Sequence, residues 1–414
     1  MAPTPTAGQP FGTMLTAMVT PFTKDLDVDY AAAQQLAVDL VNLGNDGLIV
    51  NGTTGEAPTT WPEEKSKLVR AVLEAVGDRA FVVAGVGNND TADTVEHAIE
   101  AEKQGAHGLL VVCPYYNKPP QQGVIAHFRA VADATGLGVI TYDIPGRAGI
   151  PITHESFLTL AEHPRIVANK DAKGDPWAAQ RVMQATGLPF YSGDDGLNLS
   201  LLAVGAAGFI SVTGHIVADR QVAMAKAFRA GDVQQAMEIN MGLVPVTQGV
   251  MGRVGGAIMT KAALDLLGRV GGGAMRLPMV PASDAQRAQL KADLIAGGRL
   301  QLGISRGSPE QVIDGWRYFG YEPAEGERDA DMARRRTLTL LDVLRGQGFA
   351  QPNPRPMFQN PPGLLRVEPH SEGLRDRIWW GSSSNATAQW AARLGMNLQS
   401  STLKDDETGE PLHV

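Results

Sequence analysis

The sequence is poor in cysteine, in long apolar runs and in clusters of metal-binding residues. Cys113 is its one cysteine, which excludes a disulfide within the chain and is typical of a reducing, cytoplasmic location. No apolar stretch approaches the roughly 20 residues that a membrane-spanning helix needs. The first residues, MAPTPTAGQP, lack the charged-then-apolar pattern of a secretion signal. We therefore expect a cytoplasmic protein with no membrane partner.

Basic residues are few relative to acidic ones. The 36 lysines and arginines are outnumbered by 44 aspartates and glutamates, giving a formal net charge of −8. The chain thus has no basic footprint, and we expect no nucleic-acid partner. No histidine, cysteine or aspartate cluster has metal-ligand spacing, so no metal is predicted. What is present, 43% hydrophobic and 19% charged residues in a chain of 414, is typical of a globular protein large enough for one α/β barrel and an additional segment.

Short apolar runs alternate with amphipathic helical patterns from residue 12 to about residue 230. The runs lie at 13–19, 47–50, 80–85, 107–113, 137–143, 165–170, 189–193 and 208–212. They are apolar on both faces, which is typical of parallel strands covered by helices on both sides. Eight such β-then-α units predict an α/β fold, a closed (β/α)8 TIM barrel. The competing open, doubly wound sheet usually has fewer strands and a glycine-rich phosphate loop, and the nearest candidate, Gly85-Val86-Gly87-Asn88, lacks the third glycine.

Individual residues predict where some helices begin and end. Asp90 or Thr91 is the expected N-cap of the helix that follows this glycine-containing loop. Gly44 and Gly136 follow amphipathic patterns, and we expect both to end helices in the left-handed conformation that glycine adopts readily.

The composition changes near residue 300. The segment after it holds four of the six tryptophans, uses arginine almost to the exclusion of lysine and contains the proline-rich stretch QPNPRPMFQNPPG at 351–363. We therefore expect four parts: a flexible N-terminal tail (1–11), the barrel (12–230), a small C-terminal helical unit (231–300) and an appended partial α/β segment (301–414). The last is far shorter than a barrel, so we expect it to be a poorly ordered fragment that cannot bury a core of its own.

Lys170 is the most informative residue, because it closes the apolar run Ile166-Val167-Ala168-Asn169-Lys170. An ammonium at the end of a buried strand is costly to keep charged, so burial should lower its pKa toward a neutral amine. A neutral buried amine is the nucleophile that Schiff-base chemistry on a carbonyl substrate requires. The alternative is a lysine whose side chain extends from the strand end to water.

The ends of the other predicted strands carry side chains that complement such an amine. In a (β/α)8 barrel these ends meet at one catalytic face. Thr53 and Thr54 could hold the carboxylate of an α-keto acid, Tyr142 could move protons, a second tyrosine could relay them to water, and Arg147 could bind a second carboxylate. The same residues also fit structural roles, as turn, loop-packing, surface and helix-capping residues. His127, His215 and Cys113 are assigned to structure.

Residues 10–300 resemble the dihydrodipicolinate synthase (4-hydroxy-tetrahydrodipicolinate synthase) family of pyruvate-dependent class I aldolases. The matching stretches, in the order and spacing of the family, are Gly52-Thr53-Thr54-Gly55-Glu56, Pro114-Tyr115-Tyr116-Asn117-Lys118-Pro119, Tyr142-Asp143-Ile144-Pro145-Gly146-Arg147, Lys170-Asp171, Tyr191-Ser192-Gly193-Asp194-Asp195 and Gly208-Phe209-Ile210-Ser211-Val212. The resemblance implies a lyase of lysine and diaminopimelate biosynthesis that condenses pyruvate with aspartate 4-semialdehyde. It implies no cofactor beyond the covalent imine between pyruvate and Lys170.

The resemblance also implies roles for individual residues. Lys170, Tyr142, Thr53 and Tyr116 would be catalytic, the last three as a proton relay in which Tyr116 reaches a neighbouring subunit. Substrate would be bound by Thr54, Arg147, Gly193, Asp194 and Ile210. A homotetramer built as a dimer of dimers is implied, with a feedback cleft near Tyr115, Asn89 and Asp93. Pro62 and Lys65 stand where lysine-sensitive members often carry histidines, and Asn169 stands where many members have a small or branched apolar residue.

Residues 301–414 resemble a fragment of the luciferase-like, flavin-dependent monooxygenases. The resemblance is carried by Ser305-Arg306-Gly307-Ser308-Pro309-Glu310 and by the stretch 375–388, RDRIWWGSSSNATA. It implies that Gly381 to Ser384 would form the turn that holds a flavin phosphate at a helix N-terminus.

Three alternatives to the synthase remain open at this point. The chain could be a pyruvate-dependent aldolase acting on another 2-keto acid, a flavin-binding monooxygenase by virtue of its tail, or a catalytically silent scaffold.

Overall fold

The computed structural model describes residues 3–6, 8–297, 302–304, 326–327, 329–345, 347, 374–381, 385–399, 403–404 and 411–412. The chain divides into two compact units, Met1–Asp293 and Leu294–Val414.

The first unit contains a closed barrel of eight parallel strands in chain order. The strands are β1 (Met14–Ala17), β2 (Gly47–Val50), β3 (Phe81–Gly85), β4 (Gly108–Val112), β5 (Val139–Asp143), β6 (Ile166–Asp171), β7 (Phe190–Ser192) and β8 (Gly208–Ser211). β1 pairs with β8 in parallel, with Leu15 opposite Ile210, and this pairing closes the ring. The predicted TIM barrel is confirmed, and the open doubly wound sheet is excluded.

The strands are apolar on both faces because each face meets a different core. One face fills the lumen, where Leu15, Ile49, Ile140, Tyr142 and Ile210 belong to one buried cluster. The other face packs beneath the helices, in a second cluster that includes Leu48, Leu109 and Val139. Successive side chains along a strand alternate between these faces. Tyr142 on β5 is therefore a lumen residue, whereas its neighbour Asp143 lies on the helix side.

Helices surround the barrel and extend beyond it in chain order. They are α1 (Tyr30–Asn42), α2 (Pro62–Val76), α3 (Thr91–Gln104), α4 (Gln121–Ala134), α5 (Pro145–Ala148), α6 (His154–Ala161), α7 (Pro176–Thr186), α8 (Asn198–Ala203), α9 (Gly214–Arg229), α10 (Val233–Met251), α11 (Gly256–Leu266) and α12 (Asp284–Ala296). In the part of the chain that the structure describes, none of the helices has the length and apolar character needed to cross a membrane.

Local capping explains several of the helix boundaries. Asp90 caps α3 by accepting a hydrogen bond from the backbone N–H of Ala92 at 2.8 Å, as expected. Gly44 follows α1 with φ +106°, a left-handed conformation that suits glycine. The same expectation for Gly136 is wrong: α4 ends at Ala134, and its C-cap Thr135 is extended. Gly136 instead donates its N–H to Glu102 Oε1 at 2.7 Å.

The second unit contains a small parallel sheet among its described residues. The strand order is β11 (Asn397–Gln399), β10 (Ile378–Gly381) and β9 (Leu302–Ile304). Two helices, α13 (Asp329–Leu344) and α14 (Asn385–Arg393), and a two-stranded antiparallel pair, β12 (Leu403–Lys404) and β13 (Pro411–Leu412), are also described.

The expectation that the tail cannot bury a core is wrong for this part of it. Leu341, Ile378, Trp380, Ala391 and Met396 form a buried apolar cluster. The tryptophans that marked the composition change contribute directly, since the rings of Trp380 and Trp390 pack edge to face with centroids 5.0 Å apart. The stretch 305–310 and the residues Ser382 to Ser384, on which the flavin resemblance depends, lie outside the described residues.

Candidate active site

A cavity of about 680 Å³ opens at the carboxyl ends of the barrel strands. Its lining combines residues from the ends of several strands and from the loops that follow them. The residues predicted for the site that line it are Thr53, Thr54, Tyr142, Arg147, Lys170, Gly193 and Asp194, together with Tyr115 and Asp93. This placement is the one that (β/α)8 enzymes use for catalysis.

Lys170 lies near the end of β6 and points into the lumen. Lys170 is only 4% exposed. The alternative of a lysine side chain that extends to bulk water is therefore excluded. The paired register of β5 and β6 sets Lys170 directly beside Tyr142. As a result, the Lys170 Nζ lies 4.3 Å from the centroid of the Tyr142 ring.

Burial lowers the pKa of Lys170 to about 8. The carboxylate of Asp195 opposes this shift, and the guanidinium of Arg147 adds to it by like-charge repulsion. An amine with this pKa has a substantial neutral fraction near neutral pH, which an exposed lysine lacks. The site therefore supplies a nucleophilic nitrogen at the mouth of the barrel.

Tyr142 is the phenol nearest this amine. Burial raises the pKa of Tyr142 to about 12, with Arg147 opposing the shift and Asp194 adding to it. The phenol is therefore protonated at working pH. A protonated phenol can donate a hydrogen bond and pass on its proton when it receives another from a neighbouring group.

The loop after β2 supplies two hydroxyl groups. Thr53–Gly55 forms a short 3-10 turn in which Thr54 is buried and Thr53 is exposed. Both threonines line the cavity. The hydroxyl of Thr20 donates to the carbonyl of Gly55 at 2.6 Å, which ties this turn to the segment after β1. The expected pair of hydroxyl groups is thus present on one short, anchored loop.

Arg147 lies on α5, one turn after the end of β5. Its side chain is exposed at the cavity wall. Within the part of the chain that the structure describes, no carboxylate forms an ion pair with its guanidinium. An arginine without an internal partner at the mouth of a pocket is suited to bind the carboxylate of a ligand.

Gly193 follows β7 and lies against Lys170. A Cβ atom at residue 193 would lie 2.8 Å from the Lys170 Cε and 2.9 Å from its Cγ. Glycine is therefore required here to leave room for the lysine side chain. Asp194 lines the cavity and also caps the following turn, since its Oδ1 accepts from the backbone N–H of Gly196 at 3.0 Å.

Two of the predicted catalytic and substrate-binding residues do not line the cavity of this chain. Tyr116 is 88% exposed, adopts a positive φ of 73° and is not among the residues that line the cavity. Ile210 is fully buried in the lumen cluster and is not among the residues that line the cavity. The structure therefore brings together Lys170, Tyr142, Thr53, Thr54 and Arg147, but neither of these two.

Two of the three residues expected near a feedback cleft, Tyr115 and Asp93, lie in one wall of the same cavity. The hydroxyl of Tyr115 donates to Asn88 Oδ1 at 3.4 Å, and the amide of Asn88 donates to the carboxylate of Asp93. Asn89 does not line the cavity; its carbonyl accepts from the amide of Asn117 at 3.1 Å. Burial and the Asp93 carboxylate raise the pKa of Tyr115.

Sequence reasoning missed two polar residues of this wall. Asn88 connects Tyr115 to Asp93, and Asn51, with φ 60°, donates to the carbonyl of Lys65 at 3.1 Å. Both follow strand ends, which was a usable signal. Lys65 also faces the cavity, where its Nζ donates to the carbonyl of Thr60 at 2.6 Å.

The polar residues assigned to structure are buried away from the cavity. His215 accepts from the backbone N–H of Val19 at 3.1 Å, and burial lowers its pKa to about 4. His127 is buried beside Thr91, and burial likewise lowers its pKa to about 4. Burial raises the pKa of the Cys113 thiol to about 12, so it is unreactive. Asn169 accepts from the hydroxyl of Thr141 at 2.9 Å on the helix side of the sheet, facing away from the Lys170 amine.

Within the described ranges, no group of three histidine, cysteine, aspartate or glutamate side chains could hold a metal ion. The groups gathered in the cavity are an amine, phenols, hydroxyls and a guanidinium. Such a set binds and activates a carbonyl substrate that carries a carboxylate.

Comparison with known proteins identifies the family of this chain. Residues 10–296 match the model of the dihydrodipicolinate synthetase family. The chain is 60% identical over 298 residues to 4-hydroxy-tetrahydrodipicolinate synthase 2 of Streptomyces coelicolor, covering 72% of this chain and 99% of that relative. It is 53% identical over 290 residues to the 4-hydroxy-tetrahydrodipicolinate synthase of Mycolicibacterium paratuberculosis, covering 70% of this chain and 96% of that relative.

Solved structures are similar over the same part of the chain. The dihydrodipicolinate synthase of Cyanidioschyzon merolae, solved with lysine bound, has a TM-score of 0.68 and 41% identity, over 70% of this chain and 99% of that chain. A dihydrodipicolinate synthase of Bacillus anthracis has a TM-score of 0.67 and 38% identity, over 69% of this chain and 97% of that chain.

Proposed function

The chain belongs to the dihydrodipicolinate synthetase family, and on that premise we propose how its cavity performs the family's reaction. The reaction is the condensation of pyruvate with aspartate 4-semialdehyde to 4-hydroxy-tetrahydrodipicolinate, a lyase reaction of the class I aldolase type in lysine and diaminopimelate biosynthesis. The observation that carries the mechanism is the buried Lys170, with a pKa lowered to about 8, beside Tyr142 in an open cavity.

In the first step, the neutral amine of Lys170 attacks the ketone carbon of pyruvate. A new C–N bond forms, and water leaves to give an imine. The hydroxyl of Thr54 and the backbone N–H groups of its loop hold the pyruvate carboxylate. Tyr142 donates the proton that the departing hydroxyl group needs and regains one from the nitrogen. The protonated imine then serves as the electron sink for the next bond.

In the second step, the methyl carbon of the bound pyruvate loses a proton to water in the cavity, and the protonated imine becomes an enamine. The enamine carbon attacks the aldehyde carbon of the semialdehyde, forming a C–C bond, and the resulting alkoxide takes a proton from Tyr142. The amino group of the semialdehyde then attacks the imine carbon and displaces Lys170, which closes the ring. Thr53 and Tyr116 return protons to Tyr142 from water.

Arg147 binds the carboxylate of the semialdehyde in this mechanism. Its exposed guanidinium at the cavity wall, with no internal carboxylate partner among the described residues, supports this role. Gly193 leaves space for Lys170, and Asp194 borders the same part of the cavity. Ile210 belongs to the buried lumen cluster that also contains Tyr142.

We further propose a homo-oligomer, built as a dimer of dimers, in which Tyr116 serves a neighbouring subunit. The proposal is supported by an 88% exposed tyrosine held in a positive-φ conformation. The wall formed by Tyr115, Asp93 and the adjoining Asn89 is proposed as an effector cleft. Lys65 adds a cation to that wall, which disfavours a cationic effector such as lysine.

The test is synthase turnover with pyruvate and aspartate 4-semialdehyde, comparing the natural chain with Arg147→Ala. We expect the natural chain to form the product and Arg147→Ala to lose at least about a hundredfold in kcat/KM for the semialdehyde, as loss of a charge-assisted bidentate contact costs. The pyruvate imine should still form in the variant. Full turnover by Arg147→Ala would overturn the assignment of the second substrate.

A further inference from the structure

The loop that carries Thr53 and Thr54 ends at Glu56, a residue that the reaction does not use. The side chain of Glu56 is only 1% exposed, and its backbone is left-handed with φ 56°. Left-handed backbone is unfavourable for a residue with a side chain. Something in the surroundings must therefore hold both the backbone and the carboxylate in place.

The carboxylate of Glu56 meets a lysine from the helical segment beyond the barrel. The Nζ of Lys261, on α11, donates to Glu56 Oε1 at 2.6 Å and to the carbonyl of Ala274 at 2.8 Å. The backbone N–H of Arg276 donates to the second oxygen, Glu56 Oε2, at 3.1 Å. Lys261 also lies over the ring of Phe22, 4.3 Å from its centroid. Both charges are thus fully partnered, and the Lys261 side chain is 1% exposed.

A buried ion pair adds little net stability to a fold. Removing two charges from water costs about as much as their attraction returns, so apolar residues of similar size usually stabilise equally well. The pair instead fixes the position of the residues that carry it, because a charged hydrogen bond of this kind requires a specific geometry. Here it fixes the end of the 3-10 turn, two residues after Thr54.

We propose that Glu56 and Lys261 are positioning residues for the reaction: the buried pair holds the Thr53–Gly55 turn at the cavity, so that α11 sets the geometry of the pyruvate-carboxylate site. This inference rests on the proposed function, in which Thr54 binds that carboxylate and Thr53 relays protons. Neither Glu56 nor Lys261 lines the cavity itself.

Three variants test the proposal: Glu56→Gln, Lys261→Met and the double variant. We expect Glu56→Gln to raise the KM for pyruvate and to lower kcat by about tenfold, since small displacements of catalytic groups have effects of this size. Borohydride trapping at saturating pyruvate should still label Lys170 fully. The double variant should recover the thermal midpoint lost by Glu56→Gln, because it leaves no unpaired buried charge, yet keep the raised KM.

Asp293→Asn is the matched control. Asp293 accepts from Arg253 at 2.6 Å in a less buried ion pair that does not touch the turn, so the variant removes a charged contact of the same length and should leave the KM for pyruvate unchanged. Where Glu56→Gln yields no folded protein, Thr20→Val takes its place. It removes the hydroxyl that holds the Gly55 carbonyl and should raise the KM for pyruvate without burying a charge.

The outcomes separate the two levels of the proposal. A natural chain that neither traps pyruvate at Lys170 nor turns over would end the proposed function itself. A natural chain that does both, with a double variant whose KM for pyruvate equals the natural value, would overturn the positioning role alone. A raised KM in the stable double variant, with Lys170 still labelled, supports it.

Discussion

At the level of single residues, the proposed reaction depends on the protonation state of one amine, that of Lys170. Lys170 is buried near Tyr142, Arg147 and Gly193, and burial lowers its pKa to about 8. The sequence could predict this, because an apolar run that ends in lysine implies a buried amine. It could not predict that Gly193 makes the room, since that contact arises only when β6 and β7 are paired.

The pH dependence follows from that pKa. Only the neutral amine attacks pyruvate, so the rate of imine formation should rise with pH to a plateau above about 8, and about one tenth of the amine is neutral one pH unit below the pKa. Arg147 contributes to the lowered pKa, so in Arg147→Ala the ascending limb should move to higher pH. Stopped-flow measurement of pyruvate imine formation from pH 6 to about 10 checks both statements. A limb that moves to lower pH in the variant would contradict the electrostatic argument.

Gly193→Ala should disable the lysine without altering any polar group. The added Cβ would lie 2.8 Å from the Lys170 Cε, so the side chain has to move out of line with its substrate. We expect a loss of at least about tenfold in kcat/KM for pyruvate. Gly196→Ala in the same loop is the control, because its Cβ would meet nothing closer than Asp194 Oδ1 at 3.5 Å. Equal activity in the two variants would show that the contact is unimportant.

At the scale of strands and helices, two buried acids end neighbouring strands, Asp143 on β5 and Asp171 on β6. Both lie on the helix side of the sheet, opposite the lumen side that carries Tyr142 and Lys170. Asp143 and Asp171 are register partners, and burial raises the pKa of Asp143 to about 7 and that of Asp171 to about 6. One Asp143 oxygen accepts from the backbone N–H of Ile152 at 3.1 Å, whereas the other has no hydrogen-bond partner among the residues that the structure describes. The protonated acids are therefore the form that the fold favours.

Stability should respond to these acids with a definite sign. A carboxyl group whose pKa is higher in the folded than in the unfolded state stabilises below its unfolded value, near 4, and loses that contribution as pH rises through its folded value. We expect Asp143→Asn, which keeps an acceptor for Ile152, to be more stable than the natural chain at pH 8 by about 1–3 kcal/mol and to differ little at pH 4. Urea unfolding at the two pH values measures this.

The control for that prediction is Asp175→Asn, at the exposed N-cap of α7, which should show no such pH-dependent gain. An Asp143→Asn variant that is destabilised most at pH 8 would contradict the prediction.

Strand ends and helix caps were predictable because both have local causes. Alternating apolar runs identify strands, and Asp90 caps α3 through a contact two residues away. The failures were non-local. Gly136 did not end α4 in a left-handed conformation, because a carboxylate from α3 binds its N–H instead. Asn51 and Asn88 were not predicted to line the cavity, because the pairing of β2 and β3 with their neighbours puts them there.

At the scale of the whole molecule, the catalytic unit and the tail are separate compact units. The family match ends at residue 296, and the Streptomyces coelicolor relative is covered over 99% of its length by 72% of this chain. The change in composition near residue 300 indicated a second unit. It could not predict the buried cluster around Ile378 and Trp380, because that cluster forms only when β10 pairs in parallel with β9 and β11. The flavin resemblance of the tail and the cytoplasmic location both stay predictions.

A chain truncated after Gly297 should therefore keep the reaction. All residues that line the proposed active site, and the Glu56–Lys261 pair, lie before that point. We expect kcat within about twofold of the full chain, since no described catalytic contact is lost. Steady-state turnover of the two forms, normalised to the fraction that traps pyruvate, checks this. A truncated chain that is folded and inactive would show that the tail takes part in catalysis.

The most direct measurement is borohydride reduction in the presence of pyruvate, followed by peptide mapping. We expect one covalent adduct per chain, on Lys170, with no adduct on the equally buried Lys261 and none in Lys170→Met. Absence of an adduct in the natural chain, or an adduct on another lysine, would contradict it.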